Sequence, residues 1–151
     1  AYAPERERIL REALRVLRPG GRLCFAESLA AEMEVRFRDT AANGIWGALK
    51  EIQAAALGDR ALGQESLRRL VESAGFAEVR VQKERRNTTL EDERAVREIF
   101  EDATSGSLPL ARLWTEAGVP EPVVATFLDT LIAETPTRIE TPEGYVTATR
   151  L

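Results

Sequence analysis

The sequence predicts an α/β fold, and three stretches predict it. The run Ile9–Glu27 reads as an amphipathic helix stopped by Pro19-Gly20-Gly21 and followed at once by a short apolar strand, Leu23–Ala26. The run Leu67–Val81 repeats that order, with a helix, a glycine at Gly75 and then alternating Phe76-Ala77-Glu78-Val79-Arg80-Val81-Gln82. The segment Tyr145–Leu151 has the composition of one more strand. Apolar residues recurring every three or four positions mark a helix, and alternation marks a half-buried strand.

Pro4 suits a first helical turn, where its missing N–H has no partner to lose. Ile9, Leu10, Ala13, Leu14 and Leu17 then form one apolar face, opposite Glu5, Arg6, Arg8, Glu12 and Arg15. Proline cannot continue this helix, and glycine accepts the left-handed cap. Leu23–Ala26 is uncharged on both faces, which predicts a strand buried on both sides, as in a parallel sheet. Cys24, in mid-strand, reads as a small buried hydrophobe.

A helix is expected over Arg36–Leu57, with Ile45, Leu49, Ile52 and Ala56 as its stripe and Trp46 beside it. Gly58-Asp59-Arg60 breaks it. Gln64–Ala74 is the next helix, with Leu67, Leu70 and Val71 inward and Gly75 as its C-cap. Thr88-Thr89-Leu90-Glu91 offers an N-cap and a capping-box partner. Helices over about Leu90–Ala103, Leu108–Glu116 and Glu121–Ala133 follow, separated by Ser105-Gly106-Ser107 and Gly118-Val119-Pro120. Thr137–Thr141, a Pro142-Glu143-Gly144 turn and Tyr145–Leu151 read as a bent strand or a hairpin.

At 151 residues the natural expectation is one domain, 1–151. An apolar fraction of 44% supplies a core, and 30% charged residues supply a hydrated surface. The formal net charge of −4 argues against a general nucleic-acid binder. One cysteine permits no internal disulfide, and no apolar stretch approaches the ~20 residues of a membrane span. The first residues are polar and charged, unlike a signal peptide. A cytoplasmic location is therefore expected. The first residue is Ala, which fits either initiator removal or a fragment. With no histidine, a Ser-His-Asp triad, a Cys-His dyad and His-ligated zinc are excluded.

The helix Leu10-x-Glu12-x-x-Arg15-Val16-Leu17-x-Pro19-Gly20-Gly21 and its strand resemble the segment leading into the fifth strand of class I S-adenosylmethionine-dependent methyltransferases. The unit Leu67-x-x-Leu70-x-x-x-Ala74-Gly75-Phe76-x-x-Val79-x-Val81 resembles the stretch before and within their sixth strand. Small-molecule enzymes of the quinone-biosynthesis C-methyltransferase type are the nearest in character. The resemblance covers about Glu5–Arg85 and the final strand.

It implies a partial Rossmann-like methyltransferase fold, the fifth, sixth and seventh strands with flanking helices, plus a helical insertion. The last strand would run antiparallel between the other two. The chain would be the C-terminal half of the domain, with 88–136 as an insertion that covers the substrate site as a cap. It implies S-adenosylmethionine as cofactor, bound mainly by an N-terminal half not seen here, and methyl transfer to a small-molecule acceptor. The expected partner is a second copy or that complementing half, with no nucleic acid and no membrane span. The alternative is a non-catalytic, degenerate methyltransferase subunit or scaffold. The family's Gly-rich loop lies between a strand and a helix. Here the only clustered glycines, Gly20-Gly21, end a helix, so no residue inherits a cofactor-binding role.

Glu27 and Ser28 stand where the first strand should end, and ligands of open α/β sheets gather at such carboxyl ends. As candidate catalytic residues they would serve as a base or hold a substrate hydroxyl or amine, while the plainer role is to cap the next turn. Trp46 and Trp114 are candidates to line a pocket for a planar or greasy acceptor, or to pack in the core. Tyr145 would donate to substrate or pack in the sheet. Lys83-Glu84-Arg85-Arg86 would meet an anion or form a solvated strand end.

Overall fold

A computed structural model describes residues 3–58, 61–102 and 109–151. In chain order its elements are α1 (Ala3–Val16), β1 (Arg22–Ser28), a short 3-10 turn (Ala30–Glu32), β2 (Glu34–Val35), α2 (Thr40–Leu57), α3 (Gln64–Ser73), β3 (Ala77–Glu84), β4 (Asn87–Leu90), α4 (Glu93–Phe100), α5 (Leu110–Glu116), α6 (Glu121–Ala133), β5 (Thr137–Glu140) and β6 (Glu143–Thr149). They divide into two units. The first comprises Ala1–Met33, Asp59–Arg86 and Thr141–Leu151; the second comprises Glu34–Gly58 and Asn87–Glu140.

In the first unit the sheet order is β1-β6-β3. β6 is antiparallel to both neighbours, so β1 and β3 run parallel to each other without pairing. This is the order expected from the sequence. Leu10 of α1 and Leu67 and Val71 of α3 are buried with Leu29, Leu62, Phe76, Val146 and Ala148. Leu14, Leu17, Leu23, Phe25, Val79 and Val81 pack against them. The apolar stripes of two helices thus cover one face of the sheet. Gly75 takes φ +102° after α3, a conformation that disfavours side chains. Its N–H donates to the Glu72 carbonyl, and the Phe76 N–H donates to the Val71 carbonyl.

The other face of this sheet is open. Arg22, Cys24, Ala26 and Ser28 are exposed while Leu23, Phe25 and Glu27 are half-buried. The expectation of a strand buried on both faces is therefore corrected, and so is the reading of Cys24, which is exposed. Small uncharged side chains were compatible with burial but did not require it. Every strand pairing among the described residues is antiparallel.

The second unit holds a small antiparallel sheet, β2-β5-β4, and the helices α2, α4, α5 and α6. Helix α2 begins at Thr40 rather than Arg36, because the Asp39 side chain caps it by accepting from the Ala41 N–H. The Asn43 side chain, one turn in, both accepts from the Phe37 N–H and donates to its carbonyl, fixing the chain before the helix. The capping box expected at Thr88–Glu91 does not form. Asn87–Leu90 pairs with β5 as a strand, and Asp92 caps α4 by accepting from the Ala95 N–H. The two last strands do not form one hairpin: β5 belongs to this sheet and β6 to that of the first unit. The turn expected at Ser105-Gly106-Ser107 lies outside the described residues, as does Leu108. Among the described residues no helix is long and apolar enough to cross a membrane.

Candidate functional site

The polar groups of the first unit concentrate where β1 and β3 end and β6 begins. In register, Ser28 of β1 and Glu84 of β3 flank Glu143, and Glu27 and Lys83 flank Gly144. Strand alternation separates these into two sets. Glu27, Lys83 and Gly144 share the helix-covered face; Ser28, Glu84, Glu143 and Tyr145 share the open face.

On the covered face, Arg6 reaches from the first turns of α1 to Glu27, Nη2 to Oε1 at 3.3 Å. Their side chains are 13% and 27% exposed, so the pair is shielded more than a surface ion pair. Glu32, in the 3-10 turn, uses both carboxylate oxygens. Oε1 accepts from the Gln64 N–H at 2.7 Å and Oε2 from Lys83 Nζ at 2.9 Å. The first contact places a negative charge at the N-terminus of α3, where the helix dipole favours it. The Gln64 side chain in turn donates to the Val81 carbonyl at 2.8 Å. A Cβ on Gly144 would lie 3.0 Å from Leu67 Cδ2, 3.1 Å from Leu29 Cδ2 and 3.2 Å from Val81 Cγ1. Glycine there lets α3 and the turn after β1 close on β6.

On the open face, the Tyr145 hydroxyl donates to Glu143 Oε2 at 2.7 Å, and Arg86 Nε meets the same oxygen at 2.9 Å. Donating to Glu143 holds the Tyr145 phenol above its ordinary value, with Arg86 acting in the opposite sense. The Arg86 guanidinium is held above its ordinary value by Tyr145 and Glu143.

The structure thus brings Glu27, Ser28 and Tyr145 to one sheet. Trp46 and Trp114 belong to the second unit, where both are core. Trp114 is 0% exposed, and its ring stands edge-on to Trp46 and Phe127, with centroids 6.3 and 5.3 Å apart. Phe37 and Phe100 complete the aromatic cluster around Phe127. Among the described residues neither indole Nε1 finds a hydrogen-bond partner. Lys83 and Arg86, from the basic strand end, are committed to Glu32 and Glu143.

Sequence reasoning missed Arg6, Glu32 and Glu143. Arg6 lay on a helix face read as solvated. Glu32 lay in a segment with no periodicity. Glu143 carried a signal, its place in Pro142-Glu143-Gly144, but only as a turn. The amides of Gly20 and Gly21 are used within the protein. The Gly20 N–H donates to the Arg150 carbonyl at 2.7 Å and the Gly21 N–H to the Arg18 carbonyl at 2.8 Å. Among the described residues no three metal-ligating side chains gather. Comparison with known proteins yields no match to any protein-family model and none to any curated protein.

Proposed function

We propose that the first unit is the closing part of a class I S-adenosylmethionine-dependent methyltransferase fold, a Rossmann-like sheet, and that the chain serves methyl transfer to a small-molecule acceptor within a complete domain. One observation carries this reading: β6 lies antiparallel between β1 and β3, two mutually parallel strands each preceded by a helix. Strands consecutive in sequence usually neighbour each other, so a last strand inserted between two earlier ones is a specific arrangement. It occurs here with both helix–glycine–strand motifs described above.

The described residues do not fit the cofactor. The amides of the clustered glycines are spent within the protein, and the N-terminus of α3 is occupied by Glu32. In this reading the chain supplies the acceptor side of the site. Glu27, steadied by Arg6, keeps lone pairs for an acceptor hydroxyl or amine, while Ser28, the next residue, faces the opposite side of the sheet. Holding the acceptor in line contributes much of the acceleration of such a displacement. The same spent amides favour the second reading, a non-catalytic subunit or scaffold of methyltransferase descent.

Calorimetry with S-adenosylmethionine tests the proposal. The 151-residue chain is expected to show no binding, and the product of the complete reading frame in which it lies is expected to bind in the micromolar range. Absence of binding by both overturns the enzymatic reading.

A further inference from the structure

We infer that the outer edge of β1, together with the flank of α1 that carries Ile9 and Val16, is a self-association surface on which a second copy of this chain pairs its own β1 antiparallel, about a two-fold axis at Phe25. Among the described residues β1 pairs only with β6, so its other row of backbone groups faces outward. Such a row templates pairing unless the edge is guarded.

The two edges of this sheet differ in that respect. β3 is guarded. It carries a register shift between Ala77 and Arg80, Glu78 sits there at φ 52°, and Glu78 and Arg80 are exposed charges. Bulges and charges are common protections of an edge. β1 is regular through all seven of its pairs with β6, and nothing between Arg22 and Glu27 is charged.

The helix above points to the same edge. Leu14 abuts Gly75 at the end of α3, since a Cβ on Gly75 would lie 2.9 Å from Leu14 Cδ2, and α3 packs on β3 and β6. At about 100° per residue, Ile9 and Val16 lie roughly 140° and 160° around α1 from Leu14. Their flank therefore faces away from α3, on the β1 side. They are 56% and 62% exposed, large apolar side chains left in water.

Self-pairing is chemically consistent. A two-fold antiparallel pair must match residues of the same face, so the paired numbers must sum to an even value. An axis at Phe25 uses the whole strand. It sets Arg22 opposite Ser28, Leu23 opposite Glu27 and Cys24 opposite Ala26, with no like charges opposed. Ser28 in turn neighbours Glu143 on the open face, so Arg22 of each copy approaches Glu143 of the other. The two Phe25 rings meet on the covered face, beneath the α1 flanks.

This inference rests on the 151 residues and not on the methyltransferase reading. In that reading a strand of the complete domain takes the same edge, and self-association and completion of the domain exclude each other.

Analytical ultracentrifugation of the 151-residue chain tests it. The expected mass is twice the 16.7 kDa of one chain. Cys24 is the single cysteine, so a short bismaleimide is expected to join two chains there. Ala26→Lys and the double change Ile9→Glu, Val16→Glu alter only exposed positions and are each expected to weaken the dimer by roughly tenfold or more. A folded monomer across the micromolar range overturns the inference, as does a dimer indifferent to these variants and not linked through Cys24. Either result leaves the methyltransferase reading standing. Failure of the complete product to bind S-adenosylmethionine removes that reading and leaves the dimer.

Discussion

Gly144 shows how one missing side chain decides a packing. Leu67, Leu29 and Val81 all come within 3.2 Å of where its Cβ would be, and all three belong to the packed side of the sheet. Gly144→Ala is expected to cost about 1–3 kcal/mol through overpacking, read by urea denaturation. Next to it, Tyr145 offers a pH signature. Its proton is held more tightly in the folded chain than in the unfolded one because the hydroxyl donates to Glu143. The stabilisation is therefore complete below the ordinary phenol range and lost as pH rises through the elevated value. Ultraviolet titration should show one tyrosine above the ordinary value of about 10. Glu143→Gln should bring it back down; an unchanged titration would refute the contact. Neither feature was readable beforehand. A pattern of residue types marks a strand, but it does not say which side chains three elements will bring to one point.

At the scale of elements, α1 ends with help from the far end of the chain. Arg150 Nη1 donates to the carbonyls of Leu14 at 2.6 Å and Arg15 at 3.0 Å, and also to that of Leu17. The last carbonyls of a helix lack partners, and a cation there also meets the negative end of the helix dipole. Arg150→Ala is expected to lower stability by about 1–2 kcal/mol, with Arg150→Lys intermediate. Equal stability of all three proteins would show that solvent serves as well. Helix α1 and its Pro-Gly-Gly stop were legible because they depend on local periodicity and backbone chemistry. The start of α2 and the identity of β4 were not. Asp39 outcompeted an earlier start by capping, and Thr88-Thr89 were drawn into a strand by β5. The candidate site shared this limit. Glu27 and Ser28 could be placed at a strand exit, but their ion-pair partner and neighbours are set by long-range register.

Taken whole, neither unit is a continuous stretch of sequence. The chain passes between them after Met33, Gly58, Arg86 and Glu140. β1 and β3 do not pair with each other in the sheet; each pairs with β6. A fragment ending at Arg86 contains α1, β1, α3 and β3 but no strand to join them. It is expected to lack a cooperative thermal transition and to be rapidly degraded by protease. Addition of a Thr141–Leu151 peptide should restore order if β6 alone is what is missing. In the second unit, Trp114→Ala removes a ring buried among Trp46, Phe100 and Phe127 and is expected to cost about 3–5 kcal/mol. A loss well under 1 kcal/mol would mean that the cluster is loosely packed. The strand order of the first unit was anticipated because a resemblance supplied it. The second sheet was not, since strands of two and four residues leave little periodicity to read.

The central position of β6 also bears on how the protein is born. Arg22 pairs with Thr149, so the first residue of β1 waits for a partner that leaves the ribosome last among the described strands. Throughout that interval α1 and α3 can wind, being local, while β1 and β3 have no strand to lie against. Contacts so distant in sequence slow the search for the native state. Synthesis itself thus imposes a period in which Leu23 and Phe25 have no strand of their own sheet to lie against.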